Sequence, residues 1–395
     1  MVKITVPGFQ FAGVACGIKK SKKKDLALIF SERPATAAAL FTTSAVKSPT
    51  VLAGGKRMRR GRIQAVVVNS GNANACTGAR GLRNAEAMCR EAAGHLGIDP
   101  ELVLPSSTGL IGVPLPMEKI KEGIKKAARR LSPDSFEEAA DAIRTTDRFV
   151  KIAARRCSLN GKRAIVAGMA KGAGMIAPHM ATLLAYVLTD AAIARDCLQA
   201  ILKHSADRSF NSVTVDGDMS TNDTVLFLAN GACGNPPVRR RSREERALTE
   251  AAEAVMRDLA LKLVEDGEGS TKVVEIRVGG ARSEAEAKTI AFAAANSQLV
   301  KTAFYGEDPN FGRVMAAIGC AGVDINSEKI DVFFNQVCVV KKGVGLPGNE
   351  RAAAAVLKHA AFTVRIHLHL GKKSASVWTS DLSHEYVRIN SAYRT

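Results

Sequence analysis

An α/β or α+β protein, built as two lobes or as one large layered domain, is what this sequence predicts, and three observations lead there. The chain has 395 residues, beyond the size at which a single hydrophobic core usually stops growing. Apolar, β-branched runs alternate with Ala- and charge-rich stretches from start to finish, the pattern of sheets covered by helices. Hydrophobic residues make up 46% and charged residues 24%, close to the averages for globular chains, so core material is not limiting. Neither repeats nor low-complexity linkers interrupt the alternation.

In chain order, the apolar run IQAVVVNS, Ile63 to Ser70, reads as a buried strand that ends in the loop GNANACTG. The Ala-rich stretch from Asn84 to His95 predicts a helix closed near Gly97, because glycine accepts the left-handed turn that ends a helix. Two further helices are expected over Met117 to Leu131 and Pro133 to Thr145, and a strand over Arg163 to Met169. Ala191 to Ser205 reads as a helix. Ser212 to Val215 and Val225 to Ala229 read as strands bracketing the acidic loop DGDMSTND. A long helix from about Arg243 to Val264 runs into the Gly-rich DGEGS before a strand over Lys272 to Val278. Strands near Ile330 to Val340, Thr363 to Leu370 and Ser374 to Thr379 close the C-terminal third.

Composition excludes several classes. The opening segment MVKITVPGFQFAGVACGIKKSKKK lacks a signal-like apolar core, and no apolar run approaches the ~20 residues a membrane helix needs, so a cytoplasmic protein without a membrane partner is expected. Eight cysteines lie far apart with no CxxC pair, which reads as reduced thiols of a cytosolic chain. The net charge of +18 is concentrated in runs such as KKSKKK from Lys19 and RRRSREER from Arg239. These runs lack interleaved aromatics or a recognised motif, so a solvated basic surface is favoured over a nucleic-acid partner. A positive field would also steer an anionic substrate.

Few motifs carry chemistry. GAGMIA (Gly172 to Ala177) and GVGLPG (Gly343 to Gly348) satisfy a short dinucleotide pattern, but neither has both the helix and the acidic residue that NAD binding requires. His367 and His369 share a strand face without a third ligand and read as a structural pair, while the loop of Asp216, Asp218 and Asp223 fails calcium spacing, so turn and capping roles are favoured for it. No cofactor and no metal are expected. There remains KGAGMIAPHMATLLAYVLTDA, Lys171 to Ala191, in which a Gly-rich turn and a Pro bend deliver the pair Ala181-Thr182 onto an apolar run. A threonine hydroxyl is a poor nucleophile without a base beside it, and one base is the α-amine of the same residue, freed by cutting the preceding peptide bond. Such an amine, with an unperturbed pKa of about 7.7–8.0, can take the hydroxyl proton near neutrality. The plainer alternative is a helix cap or strand start. PSSTGLIGVPLP, Pro105 to Pro116, offers a tight turn at Thr108 and Gly109 whose donors could face an oxyanion.

Taken together and in order, STGLIG (Ser107 to Gly112), TTD (Thr145 to Asp147), KGAGMIAPHMATLL (Lys171 to Leu184), VTVDGDMSTNDTV, EDGEGSTK, FYGEDPNFGRVMAAIG and DLSHEYVRINSAYRT resemble the glutamate N-acetyltransferase (ornithine acetyltransferase) family of arginine biosynthesis. The likeness runs from Asn69 to the last residue. His179 and Phe311 depart from it, where the family often has Asn or Asp and usually has Trp. The resemblance implies stacked sheets between helices in an α-β-β-α, N-terminal-nucleophile-like arrangement, with a smaller C-terminal α/β lobe. It also implies self-cleavage between Ala181 and Thr182 into an α chain, residues 1–181, and a β chain, residues 182–395, assembled as two α and two β chains. Thr182 would carry acetyl from N2-acetylornithine to glutamate, with Thr108 and Gly109 as the oxyanion hole. Thr145, Lys171, Thr182, Glu268, Asn390 and Thr395 would contact substrate. Acetyl-CoA is left open as a second donor. The nearest rival is a related N-terminal-nucleophile amidase or aminopeptidase, which hands the acyl group to water.

Overall fold

The computed structural model describes residues 3–177 and 183–392. Its strands are β1 (Phe9–Val14), β2 (Leu26–Phe41), β3 (Arg62–Asn72), β4 (Val103–Leu110), β5 (Lys151–Leu159), β6 (Lys162–Lys171), β7 (Leu184–Thr189), β8 (Val213–Thr214) and β9 (Thr224–Ala229). The remainder are β10 (Val273–Ala281), β11 (Asp331–Phe334), β12 (Val337–Lys341), β13 (Val344–Gly345), β14 (Ala361–His367) and β15 (Lys373–Ser380). Hydrogen bonding sorts them into one sheet in the order β4-β3-β2-β9-β7-β6-β5, with β1 beside β2, and another in the order β13-β12-β11-β14-β10-β15-β8.

One strand folds the first sheet back on itself. β2 pairs with β3 over Leu26 to Thr36 and with β9 over Thr36 to Phe41, and its register slips between Phe30 and Ala35. Pro34 lies in that interval, where a missing N–H costs no ladder bond. Beyond the slip the two limbs face each other. Ala27, Ile29, Val66 and Val68 of one limb share a buried cluster with Met169, Tyr186, Leu188 and Leu226 of the other. Alternation along each strand sends Leu28, Val67 and Val103 outward onto the helices Gly78–Leu96 and Met117–Ala128. It sends Val166, Val187 and Phe227 onto Arg195–Asp207 and Arg243–Glu265. The first lobe is therefore layered helix, sheet, sheet, helix, as expected. The second sheet has its own core, built with the helices Glu284–Asn296 and Phe311–Gly319, and forms the smaller lobe.

Local signals set the helix ends. Gly97, at φ 67, closes the helix before it. Ser242 caps Arg243–Glu265 by accepting the Glu245 N–H at 3.1 Å, and the Glu245 carboxylate accepts the Arg241 N–H in return, an arrangement akin to a capping box. Several expectations need correction. The strand near Ile330 to Val340 is a hairpin turned at Asn335, which has φ 49. The strand expected to Leu370 stops at His367, because His369 leaves extended geometry at φ 53. The helix expected over Pro133 to Thr145 shortens to Phe136–Ala142, and just beyond it the Thr145 N–H is taken by the Asp147 carboxylate at 2.9 Å. Ser212 to Val215 shrinks to β8, which leaves its sequence neighbours and pairs with β15 of the other sheet. Among the described residues no helix is long and apolar enough to cross a membrane.

A buried ion cluster ties the start of β5 to the turn after Arg243–Glu265. Lys151 Nζ, fully buried, bonds Asp147 Oδ1 at 2.7 Å and also Asp266 Oδ2. Removing one member strands the others in low dielectric, so Lys151→Met is expected to lower the urea-unfolding free energy by about 3–5 kcal/mol.

Candidate active site

The fold-back sets the end of β6 against the end of β4. Lys171 closes β6, and Thr108 and Gly109 lie in the last residues of β4, in register with Ser70 and Gly71 of β3. They are thus strand residues rather than the loop turn expected from sequence. Gly109 has φ 130, and a Cβ there would come within 2.3 Å of the Gly71 carbonyl carbon, so only glycine fits between the strands. Lys171 Nζ donates to Thr108 Oγ1 at 3.2 Å. An ammonium can only donate, so the Thr108 hydroxyl accepts and its own proton is free to point elsewhere. Both residues line a cleft together with Thr145, Gly174, Met175, Asp216, Asn222, Glu268, Tyr386 and Asn390.

Electrostatics follow from burial. Desolvation lowers the Lys171 pKa, with Asp147, Asp223 and Glu268 pulling the other way. For Asp147 burial acts to raise the pKa, but Lys151, Lys171 and the Gly172 N–H, 2.7 Å from Oδ1, together hold it well below the usual carboxylate range. On the far wall, Glu268 accepts from Asn390 Nδ2 at 2.9 Å, and its own N–H bonds Ala173 O at 2.8 Å. The missing side chain of Gly174 makes room for that carboxylate: a Cβ would stand 2.5 Å from Glu268 Oε2. The cleft thus offers a cation at one end and an anion at the other, as an amino-acid zwitterion or a side-chain ammonium requires.

Of the residues singled out from sequence, Thr108, Gly109, Thr145, Lys171, Glu268 and Asn390 come together here. Ala181, Thr182 and Thr395 lie outside the described residues. Sequence reasoning left Asp147 without a role of its own and did not place Asn222 or Tyr386. It read Asp216 and Asp223 only as turn residues. Asp223, next in sequence to the cleft-lining Asn222, is buried, and desolvation drives its pKa well above 3.8. Asp216 is pushed by burial from 3.8 up to about 6. The folded chain therefore keeps that proton at a pH where the unfolded chain has released it. Stability from this group is present below about pH 4 and lost as pH rises through about 6. Denaturant unfolding of Asp216→Asn across this window is expected to lack that decline.

A family model described as ArgJ family matches residues 10–395. The arginine biosynthesis bifunctional protein ArgJ of Geobacter sulfurreducens is 48% identical over 99% of this chain and 100% of its own length. Its Thermotoga neapolitana counterpart is 45% identical over 98% of this chain and 99% of its own. A crystal structure of the ArgJ protein of Bacillus halodurans is 37% identical with a TM-score of 0.51, covering 53% of this chain and 98% of that one. Ornithine acetyltransferase of Mycobacterium tuberculosis, solved with ornithine, is 36% identical over 45% of this chain and 94% of that one, with a TM-score of 0.39.

Proposed function

The chain belongs to the ArgJ family, and from that premise we propose that it is the acetyltransferase of arginine biosynthesis that moves acetyl from N2-acetylornithine to glutamate through Thr182. The observation that carries this reading is the Lys171–Thr108 hydrogen bond at 3.2 Å. It leaves the hydroxyl proton free to point away from the lysine, in the cleft that Gly174 and Met175 also line.

In the maturation step the Thr182 hydroxyl adds to the Ala181 carbonyl. The C–N bond breaks, its nitrogen takes up the hydroxyl proton beside its own to become the new α-amine, and water hydrolyses the resulting ester. In turnover that amine takes the hydroxyl proton while the oxygen attacks the acetyl carbonyl of acetylornithine. The Thr108 hydroxyl and Gly109 N–H receive the developing negative charge. Collapse releases ornithine, which leaves with the proton, and acetyl stays on the Thr182 oxygen. The glutamate amine then attacks this ester and restores the free hydroxyl. Lys171 suits a substrate carboxylate and Glu268 an ammonium, while Thr145, Asn390 and Thr395 hydrogen-bond the amino-acid headgroup.

One further observation supports cleavage near the middle, and another the association of the two chains. The Bacillus halodurans chain, matched almost end to end, aligns with 53% of this one, and Thr182 to Thr395 is slightly more than half the chain. β7, just past the cut, is hydrogen-bonded to β6 before it and to β9 after it, so α and β chains stay joined in one sheet. Assembly as two α and two β chains in the cytoplasm completes the reading. No cofactor is invoked; acetyl-CoA is the alternative acetyl donor to the same Thr182. Acetylornithine with labelled glutamate, and no acetyl-CoA, is expected to give labelled acetylglutamate. Acetate as the only product would mean water is the acceptor, and an amidase instead.

A further inference from the structure

The loop between β8 and β9 carries two carboxylates that grip the backbone on either side of residues 178–182. Upstream, Asp216 accepts the Met175 N–H on Oδ2 at 2.7 Å and the Ile176 N–H on Oδ1 at 2.8 Å. Downstream, Asp223 Oδ1 accepts the Leu183 N–H at 3.1 Å. Backbone rungs reinforce both grips: the Val215 N–H donates to Ile176 O at 2.8 Å, and the Thr224 N–H to Leu183 O at 3.1 Å.

Each contact bears on a backbone that needs holding. Met175 sits at φ 51, a sparsely populated region for a non-glycine residue that persists only where the surroundings over-determine it. Asp216 binds that residue's own N–H and the next. The Leu183 N–H belongs to a rigid peptide plane whose other corner is the Cα of Thr182. Burial makes the downstream grip firm, since Asp223 is 1% exposed and competing water is excluded, while Asp216 is half-buried on the cleft wall and relies on its two bonds.

We propose that Asp216 and Asp223 are positioning residues for self-cleavage: they hold the two flanks of the scissile segment at a set separation, so that the Thr182 hydroxyl meets the Ala181 carbonyl. Neither touches the reacting atoms in this role. The proposal rests on the reading of Thr182 as the self-processing nucleophile and adds what aligns it. Intramolecular attack is steeply sensitive to alignment, with a 1 Å misplacement costing on the order of a hundredfold.

The two residues differ in a way an experiment can read. Asp216 uses both oxygens, each for a different N–H, and an asparagine keeps only one acceptor. Asp223 meets the Leu183 N–H with one oxygen, which an asparagine keeps. Full-length chains are made by pulse synthesis, and conversion to two fragments is followed on denaturing gels, with thermal unfolding as the check on folding. Asp216→Ala, Asp216→Asn and Asp223→Ala are expected to process about a hundredfold more slowly than wild type, whereas Asp223→Asn restores most of the rate lost in Asp223→Ala. Wild-type processing in both alanine variants overturns the proposal. So does an Asp223→Asn as slow as Asp223→Ala, which would give that carboxyl a reacting role. If the alanine variants do not fold, the asparagine pair decides, and equal rates overturn it. A wild-type chain that stays uncut instead overturns the Thr182 reading, and the clamp falls with it.

Discussion

Thr182→Ala is expected to run as one uncut band on a denaturing gel and to lose acetyl transfer by about 10⁴-fold or more. Both losses have one origin. The hydroxyl is the attacking atom in maturation and again in turnover, and the amine that serves as base exists only after the first event. Residual turnover would come from the cleft's donors and its grip on substrate alone. Thr182→Ser keeps a hydroxyl and should still process. Two fragments from the alanine variant would place the scissile bond elsewhere and remove this threonine from the mechanism.

Thr108→Val should lower kcat by about 10²–10³-fold with little change in KM. Valine matches the shape of threonine and deletes only the hydroxyl, whose Oγ1 accepts from Lys171 at 3.2 Å and whose proton is thereby left for the cleft. Because an oxyanion exists in the transition state and not in bound substrate, the loss belongs in kcat. Maturation passes through the same kind of tetrahedral centre, so processing should slow as well. An unchanged kcat, with thermal unfolding like wild type, would assign the Lys171 contact a structural purpose and transfer the oxyanion to other donors.

Elements with a clean period were legible in the sequence and those with a mixed one were not. IQAVVVNS and the long helix from Arg243 carry signals of a single kind, and both stand close to their expected bounds. β2 was not anticipated. Its sequence LALIFSERPATAAALF places Glu, Arg and Pro at the centre and Ala in the second half, which reads as a break followed by helix. The partner switch that makes a strand of it is a tertiary event. β5, KIAARRCSL, hides similarly, since the adjacent Arg155 and Arg156 lie on opposite faces and both are exposed, which breaks the apolar alternation.

The candidate site divides along the same line. Thr108, Lys171 and Glu268 could be singled out within their motifs, but their meeting could not be read. Lys171 and Thr108 are 63 positions apart and touch only because the first sheet doubles over. Asp216 and Asp223 looked like ordinary turn carboxylates because a single sequence shows which residues can bind N–H groups, and not whose.

β8 is taken from a stretch of sequence that otherwise belongs to the first lobe, yet it lies along β15 at the edge of the second sheet, while β9 shortly after it sits inside the first. The chain is thus laced across the two lobes, and the short lace between the stitches is the cleft wall that bears Asp216 and Asn222. A cut or an insertion in that lace would therefore disturb both lobes and the cleft wall at once.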